Sequence, residues 1–408
     1  MLRKMKNTIH SLEALLASFY YGFPSKSMKI IAVTGTDGKT TTTELIYHIL
    51  KKAGKKASMI STLHAVIGKE EYDTGFHVTT PNSFPLQKFL NLAKKEKTEY
   101  MVLEVTSHAL DQKRVNHIRI EVGLIANISH EHLDYHKTFD NYLAAKAKIL
   151  KNVKVSILNA DDSHFDKLVK YASGRLVTFG IKKKADFTPG NSYVKSRLPG
   201  QFNVYNILAA EAAASSVGIS AEDIKKGVAS FTGIQGRMEE VGVSRPFRIF
   251  IDFAHKPNAL ENVLLTTRDI ADKRVIIVFG AAGLRDKAKR PMMGKIAGKL
   301  ADISILTAED PRTEDVRDII NSIAVGAKSS GAIEADKYKD GKDMLDGKHY
   351  YYRIADRQEA INFAVKNLAQ KGDVVILAGK GHEKSLCYGK IEYSWDEFKA
   401  VEKALKNS

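Results

Sequence analysis

Ile30-Ile31-Ala32-Val33-Thr34-Gly35-Thr36-Asp37-Gly38-Lys39-Thr40-Thr41-Thr42 runs from a β-branched apolar stretch through a glycine-flanked turn into lysine and hydroxyl residues. The apolar stretch reads as a buried strand and residues 40–52 as the helix that follows it. Strand, glycine turn and helix N-terminus in that order make a phosphate cradle. The glycines let backbone N–H groups close on phosphate oxygens, Lys39 supplies a point charge, Thr40 offers a hydroxyl to Mg²⁺, and the helix end adds partial positive charge. The spacing, Gly-x-x-Gly-Lys-Thr, is shorter than the common Gly-x-x-x-x-Gly-Lys-Thr loop. A bare glycine–lysine turn is often only a connection. The strand before this one and the threonine run after it favour nucleotide phosphate over that plainer reading, with Gly35, Thr36, Asp37, Gly38, Lys39, Thr40 and Thr41 as the binding set.

Outward from this loop, 408 residues are too many for one ordinary core and point to two domains. A single cysteine, Cys387, excludes an internal disulfide and a cysteine-built metal site, and fits a reducing compartment. At the start, Arg3, Lys4 and Lys6 precede an apolar stretch in the outline of a signal peptide, but Glu13 interrupts it and no small-residue cleavage site follows. Residues 1–27 therefore read as a helical extension closed by Pro24. No segment is long enough to span a membrane, and the expected location is the cytoplasm. The 63 basic residues exceed the 47 acidic ones by a formal +16. Lysines cluster at Lys51-Lys52, Lys55-Lys56, Lys94-Lys95 and Lys182-Lys183-Lys184 without interleaved aromatics, which argues against nucleic acid. The charge fits a field that concentrates polyanionic small molecules.

Further along, Val78-Thr79-Thr80-Pro81-Asn82 is a polar turn before a helical pattern at residues 86–94, and the Thr79 and Thr80 hydroxyls can reach an anionic ligand. Tyr100-Met101-Val102-Leu103-Glu104 is a buried strand ending in a carboxylate, the place where a nucleotide-binding domain puts a Mg²⁺ ligand or water-holder. Residues 122–128 form a strand leading into Ser129-His130-Glu131-His132-Leu133-Asp134-Tyr135-His136, whose three histidines and two acids suit a magnesium–nucleotide role better than zinc. Lys146 lies in a helix over residues 141–150, where composition alone makes it surface decoration. Strands at 155–159 and 176–179 follow, and Leu198-Pro199-Gly200-Gln201-Phe202-Asn203-Val204-Tyr205-Asn206 reads as a turn into an alanine-rich helix over 207–216. Strands and helices alternate over residues 28–235, which implies a mostly parallel, doubly wound sheet.

A boundary falls near Gly233-Ile234-Gln235-Gly236-Arg237. Beyond it, strands at 247–253, 274–279, 303–306, 351–354 and 374–377 each end in a polar or glycine cluster. These clusters are Asp252-Phe253-Ala254-His255, Gly280-Ala281-Ala282-Gly283, Glu309-Asp310-Pro311-Arg312, Asp356-Arg357 and Gly379-Lys380-Gly381-His382-Glu383. Open parallel sheets bind ligands at the carboxyl ends of their strands, so this part presents a site of its own. The expected fold class is α/β: an extension (1–27), a central doubly wound P-loop ATPase domain (28–236) and a Rossmann-like C-terminal domain (237–408).

These motifs, with Glu104-Val105-Thr106-Ser107-His108-Ala109-Leu110, His132-Leu133-Asp134-Tyr135-His136, Ala144-Ala145-Lys146, Phe202-Asn203-x-x-Asn206 and Gly236-Arg237-Met238-Glu239, stand in the order found in the Mur ligase family. The chain resembles that family over about residues 28–396, most closely its tripeptide-synthetase branch. The resemblance implies an ATP-dependent acid–amino-acid ligase of peptidoglycan synthesis that forms ADP and phosphate. Such enzymes phosphorylate a substrate carboxylate, and an amino acid's amine then attacks the acyl phosphate, so catalysis is mostly positioning and charge neutralisation. By matched position, Lys39 holds the β- and γ-phosphates, Thr40 and Glu104 hold one Mg²⁺, and His132 holds a second. Lys146 matches a lysine that is carbamylated in the family, an N-carboxylysine that helps hold the second Mg²⁺. Asn206, Arg237 and Asp252 match nucleotide contacts, with His255 close to them. Thr79, Thr80, Thr106, Ser107, His108, Arg114, Asp310, Arg312, Gly379 and Glu383 are the substrate-binding residues the resemblance implies, Glu383 matching a contact to the acceptor's amino group.

Diaminopimelate-adding members carry Asp-Asn-Pro-Arg, whose arginine holds the acceptor's far carboxylate. Here the stretch is Glu309-Asp310-Pro311-Arg312. The retained Arg312 favours an acceptor with a distal carboxylate over lysine, while Asp310 adds a charge able to pair with Arg312 and weaken that preference. Asp37 replaces the family's usual Asn and Glu131 its usual Asp. Members of this branch also carry an N-terminal domain of roughly one hundred residues that grips the uridine diphosphate of the donor. This chain has 27 residues before its phosphate strand, so the donor is expected to be held by the other domains or by a partner chain, or to lack the nucleotide. Two alternatives stand beside the muramoyl ligase: a folylpolyglutamate-type ligase acting on another carboxylate, and a catalytically silent nucleotide-binding partner. Thr106-Ser107-His108 and Gly381-His382-Glu383 argue against the first, and the joint presence of Lys39, Thr40, Glu104, His132 and Lys146 argues against the second.

Overall fold

The computed structural model describes residues 2–73, 79–129, 131–192, 196, 198–242, 244–336 and 347–406. It divides into two compact units, Met1–Thr232 and Gly233–Ser408. The expected α/β class holds in both.

In the first unit the strands are β1 (Lys29–Thr34), β2 (Ala57–Ile60), β3 (Ala65–Ile67), β4 (Glu70–Tyr72), β5 (Tyr100–Glu104), β6 (Ile120–Ile125), β7 (Val155–Asn159) and β8 (Arg175–Phe179). They form one sheet in the order β4-β3-β2-β5-β1-β6-β7-β8. Only β3 and β4 run antiparallel to their neighbours. The central strand shows why the apolar run became a buried strand: Ile30, Ile31, Ala32 and Val33 are all fully buried, as a parallel strand covered on both faces requires. One core joins Ile30 and Ala32 to Leu86, Leu90, Leu103, Leu143 and Leu150. The helix Lys39–Lys52 buries Leu45, Ile46, Ile49 and Leu50. Gly227, in the helix Ala221–Ser230, allows that helix to lie against Ile49: a Cβ there would stand 2.8 Å from the Ile49 Cα.

Two local expectations are corrected. The N-terminal helix spans Leu2–Tyr20 and stops before Pro24, because Gly22 and Phe23 both take left-handed backbone (φ 66° and 48°). Pro24 instead opens a short 3₁₀ turn, Pro24–Ser27, where its fixed φ suits the first position. The alanine-rich helix begins at Gln201, so Phe202 to Asn206 are helical and not turn. Gly200 at φ 90° is the actual break.

The second unit holds β9 (Glu239–Val241), β10 (Arg248–Asp252), β11 (Val275–Phe279), β12 (Ile303–Leu306), β13 (Ile333–Glu334), β14 (Tyr350–Arg353) and β15 (Val374–Ala378) in the order β13-β14-β12-β11-β15-β10-β9, with a separate hairpin of β16 (Ser385–Tyr388) and β17 (Ile391–Ser394). Within the seven-stranded sheet all neighbours are parallel except β9 with β10. Ile249, Ile251, Ile276, Val278, Ile305, Val375 and Leu377 share one core with Ile361, Leu368 and Val401. The helices Lys289–Leu300 and Val316–Ser329 meet through glycine. A Cβ on Gly294 would stand 1.9 Å from the Ile323 carbonyl oxygen, and one on Gly326 the same distance from that of Pro291.

Both sheets end weakly. β4, β9 and β13 are two or three residues long and carry Glu70, Glu71, Glu239, Glu240 and Glu334. At β8, Asp186 accepts from the Thr178 N–H (2.8 Å), and Phe187 pairs backbone to backbone with Thr178 and Gly180. Among the described residues no helix is long and apolar enough to cross a membrane.

Candidate active site

Strand order assembles the first cluster. β1 lies between β5 and β6, and Val33 is level with Glu104, so the turn after β1 and the carboxylate ending β5 stand side by side at the carboxyl edge. Gly38 caps the helix Lys39–Lys52 at φ 77°, and a Cβ there would fall 2.1 Å from Asn206 Oδ1. Both backbone and space therefore demand glycine. Asn127 clamps the turn from the neighbouring strand end, accepting from Asp37 N (2.9 Å) and donating to Asp37 O (2.9 Å). The Thr36 hydroxyl contacts the Tyr142 hydroxyl (2.9 Å) and accepts from Ser129 N (2.9 Å). Lys39 Nζ folds back to donate to the Thr36 carbonyl (2.9 Å).

Glu104 is fully buried. Its Oε1 accepts from the Thr40 hydroxyl (3.2 Å) and the Thr62 hydroxyl (2.9 Å), and its Oε2 from Thr62 N (2.9 Å). Thr80 donates to the Glu104 carbonyl (3.1 Å) and accepts from Thr106 N (3.0 Å), while the Thr79 and Thr62 hydroxyls lie 3.1 Å apart. Arg114 donates to the Thr80 carbonyl (3.1 Å) and to Gln112 Oε1 (2.8 Å). Thr106 caps the short helix Ser107–Asp111 through Ala109 N. The expected Thr79, Thr80, Thr106 and Arg114 thus form one polar web on Glu104.

Lys146, in the helix Phe139–Ala147, is 2% exposed. It donates to the Gly35 carbonyl at the back of the phosphate turn and lies 4.9 Å from the Tyr142 ring centre. Burial drives the Tyr142 phenol far up from its ordinary value, so that hydroxyl stays neutral. Asn206 is buried; it accepts from the Thr42 hydroxyl (3.4 Å) and donates to Asn203 Oδ1 (3.1 Å). His132, at φ 54° and with a largely exposed side chain, lies edge-on to His108 at 4.8 Å. His108 also meets Tyr135 (4.3 Å) and His136 (5.6 Å). His136 is buried, with Nε2 3.1 Å from the Ser107 hydroxyl. Val78, His130 and the side chain of Asp134 lie outside the described residues.

Among the described residues no three His, Cys, Asp or Glu side chains gather as a ready metal cage. What does converge is oxygen: the Thr40 hydroxyl and Glu104 carboxylate, beside a phosphate turn. That hard donor set fits Mg²⁺, which takes one or two protein oxygens and completes its shell with phosphate and water.

The second unit has its own cluster. Asp252, ending β10, is buried and accepts from Met238 N and Ala254 N, both at 2.7 Å. Burial raises its pKa, opposed by Arg237 and those two N–H groups. Arg237 stacks over Phe253 at 4.5 Å, with His382 (5.0 Å) and His255 (4.6 Å) on the same ring. Burial, with Arg237, pushes the His382 imidazole down to about 4. Gly379, at φ 109°, donates its N–H to the Asp252 carbonyl (3.1 Å). Asp310 does not turn to Arg312. Its Oδ1 accepts from Lys380 Nζ (2.9 Å) and from Cys387 N (3.0 Å). Lys380 also donates to Glu383 Oε2 (2.6 Å), and Arg312 Nη1 to the Gly283 carbonyl (3.0 Å). Glu309 is buried, and burial raises its carboxyl pKa.

Sequence reasoning passed over Thr62, Asn127, Lys380 and Arg357. Arg357 is fully buried, paired with Glu397, and donates to the carbonyls of Ala308 and Ala378 at 3.0 Å each, beneath two of the loops. Lys380 and Arg357 had a signal, their places in the Gly-Lys-Gly-His-Glu and Asp356-Arg357 clusters at strand ends.

Residues 33–214 match the family described as Mur ligase middle domain, and residues 236–381 that described as Mur ligase, glutamate ligase domain. A UDP-N-acetylmuramoyl-L-alanyl-D-glutamate--2,6-diaminopimelate ligase of Syntrophomonas wolfei is 40% identical over 393 residues, 91% of this chain and 76% of the relative. One from Clostridium acetobutylicum is 37% identical over 413 residues, 96% of this chain and 81% of the relative. A solved structure of a ligase with the same name superposes at TM-score 0.64 and 31% identity, covering 93% of this chain and 78% of that one. E. coli FolC in complex with ADP superposes at 0.69 and 19% identity, covering 97% of this chain and 93% of that one, a likeness of fold.

Proposed function

The chain belongs to the Mur ligase family and is an ATP-dependent acid–amino-acid ligase, and from that premise we propose that it adds meso-diaminopimelate to the D-glutamyl carboxylate of a muramoyl dipeptide. The observation that carries the acceptor choice is Arg312: among the described residues no carboxylate pairs with it, so its guanidinium is available to the far carboxylate of the incoming amino acid.

The reaction has two substitutions. The donor carboxylate oxygen attacks the γ-phosphorus and ADP departs; the acceptor amine then attacks the acyl carbon, phosphate departs with the bonding pair, and the amine's proton is lost to solvent. The turn Gly35–Gly38 and Lys39 hold the phosphates, and Lys39 exchanges the Thr36 carbonyl for phosphate oxygen. Thr40 and Glu104 hold Mg²⁺, with His132 and carbamylated Lys146 at a second ion. Bound there, Mg²⁺ supplies charge neutralisation on the transferring phosphoryl group. Thr62 keeps the Glu104 carboxylate pointed, Thr80 holds the Glu104 backbone carbonyl, and Asn127 clamps the turn. Ser107, His108 and Arg114 receive the donor peptide, Asn206, Arg237, Asp252 and His255 serve the nucleotide, and Asp310, Arg312, Gly379 and Glu383 receive the acceptor.

A buried lysine on a backbone carbonyl supports the carbamate, since the carbamate nitrogen keeps one N–H for Gly35 while its charge changes sign. With ¹³C-bicarbonate, a carbamate resonance is expected in the native enzyme and absent in Lys146→Ala, which is expected to lose turnover; full activity in that variant overturns the assignment. The function itself is tested by ADP release and product mass with ATP, Mg²⁺, UDP-N-acetylmuramoyl-L-Ala-D-Glu and a panel holding meso-diaminopimelate and L-lysine. A mass gain for diaminopimelate is expected. Silence with every amino acid, while ATP still binds, overturns it.

A further inference from the structure

The amino-acid side of the site carries an extra acid relative to an Asp-Asn-Pro-Arg stretch, and the lysine of the Gly-Lys-Gly-His-Glu cluster lies against it. Lys380 is fully buried, and its ammonium bridges Asp310 Oδ1 (2.9 Å) and Glu383 Oε2 (2.6 Å). Burial works to lower its pKa, but Glu383 and Asp310 together outweigh that and hold it above the ordinary lysine value. The loop around Asp310 is fixed from the other side by the β16–β17 hairpin: Cys387 N donates to Asp310, Arg312 N donates to the Cys387 carbonyl (3.0 Å), and Gly389 N to the Arg312 carbonyl (2.7 Å). Arg312 sits at φ 54° in that clasp, its guanidinium on the Gly283 carbonyl.

We propose that Lys380 is a positioning residue that sets the charge preference of the acceptor subsite: by neutralising Asp310 and Glu383 at once, it leaves Arg312 to select an amino acid with a distal carboxylate. The proposal rests on the acceptor reading above. Without the ammonium, the carboxylates of Asp310 and Glu383 are left uncompensated. Asp310 then competes for Arg312, and the surplus negative charge favours an acceptor ending in ammonium. An amide at position 310 would leave only the Glu383 carboxylate to neutralise and none to compete from position 310.

The test compares Lys380→Met, Lys380→Arg and the double variant Asp310→Asn/Lys380→Met in the full chain, each checked for its melting transition. One readout is the ratio of kcat/KM for meso-diaminopimelate to that for L-lysine. Lys380→Met is expected to lower that ratio about tenfold or more, as uncompensated like charges do at a recognition site, through acceptor KM and not through KM for ATP. Lys380→Arg and the double variant are expected to recover most of it. The second readout needs no turnover: mass-mapped phenylglyoxal labelling of Arg312 is expected to slow several-fold in Lys380→Met and return in the double variant. Unchanged selectivity and labelling in Lys380→Met overturn the proposal. Loss of both in Lys380→Arg or in the double variant also overturns it, even where Lys380→Met fails to fold. A native enzyme that accepts no amino acid removes the acceptor reading, while labelling still decides whether Lys380 keeps Arg312 free.

Discussion

Glu104 shows how much of a site rests on a residue with no motif of its own. Its carboxylate takes two hydrogen bonds from Thr62, one from the hydroxyl and one from the backbone. Thr62→Val removes the first without changing shape, and a hydrogen bond to a charged group is worth about 1.5–3 kcal/mol. Turnover is expected to need a higher Mg²⁺ concentration and kcat/KM for MgATP to fall by about tenfold or more, with Thr62→Ser close to the native enzyme. A magnesium titration of both variants checks this. His382 gives a pH prediction. Its imidazole is pushed from 6.5 down to about 4, chiefly by burial, so it is neutral in the fold and takes its proton first in the unfolded chain. The stabilisation is therefore complete above pH 6.5 and lost as pH falls toward 4, on the order of 3 kcal/mol in full. Melting temperature should drop less between pH 7 and 5 in His382→Gln. At this scale the sequence was read unevenly. Lys39, Thr40 and Glu104 stood out as candidates because phosphate chemistry calls for those types at a helix start and a strand end. Thr62 and Asn127 did not, because a threonine and an asparagine after short strands look like any loop. Lys146 looked like surface by composition, and nothing in a helix of ordinary amphipathy said it would be buried.

Elements were more legible than contacts between them. Runs such as Ile30 to Val33 and Val374 to Leu377 can only be strands covered on both faces, and their alternation with helices required parallel sheets. Helix ends were displaced where glycine or a left-handed residue intervened, as at Gly22 and Gly200, since a proline nearby is the louder signal. Close helix packing was silent in the sequence. Gly294 and Gly326 each sit where a Cβ would meet the other helix's backbone at 1.9 Å, and backbone cannot swing aside as a side chain can. Gly294→Ala and Gly326→Ala are each expected to destabilise the second unit by about 1–3 kcal/mol, as overpacking does. Denaturant midpoints measure it. A Gly331→Ala control faces open space but has φ 93°, so its cost should be conformational alone.

For the whole molecule, a formal charge of +16 and three anionic or zwitterionic reactants make the rate sensitive to salt. Raising ionic strength from about 0.02 to 0.2 M shortens the screening length by roughly threefold and should lower kcat/KM for MgATP and the donor several-fold while kcat changes little. An effect confined to kcat would set steering aside. A summed charge is plain in any sequence, but the order of strands in a sheet is not, because it depends on which of many parallel pairings buries most.

One outcome of that order concerns neighbours and not substrates. Large parallel sheets are slow to assemble and pass through states with unpaired strands. Here the described edges of the two large sheets are stubs of two or three residues bearing glutamate, or a longer strand whose Thr178 amide is taken by Asp186 and whose Thr178 carbonyl is taken by Phe187. A strand from another chain finds too short a ladder and the wrong charge to extend it, so concentrated protein should resist cross-β aggregation through its sheets.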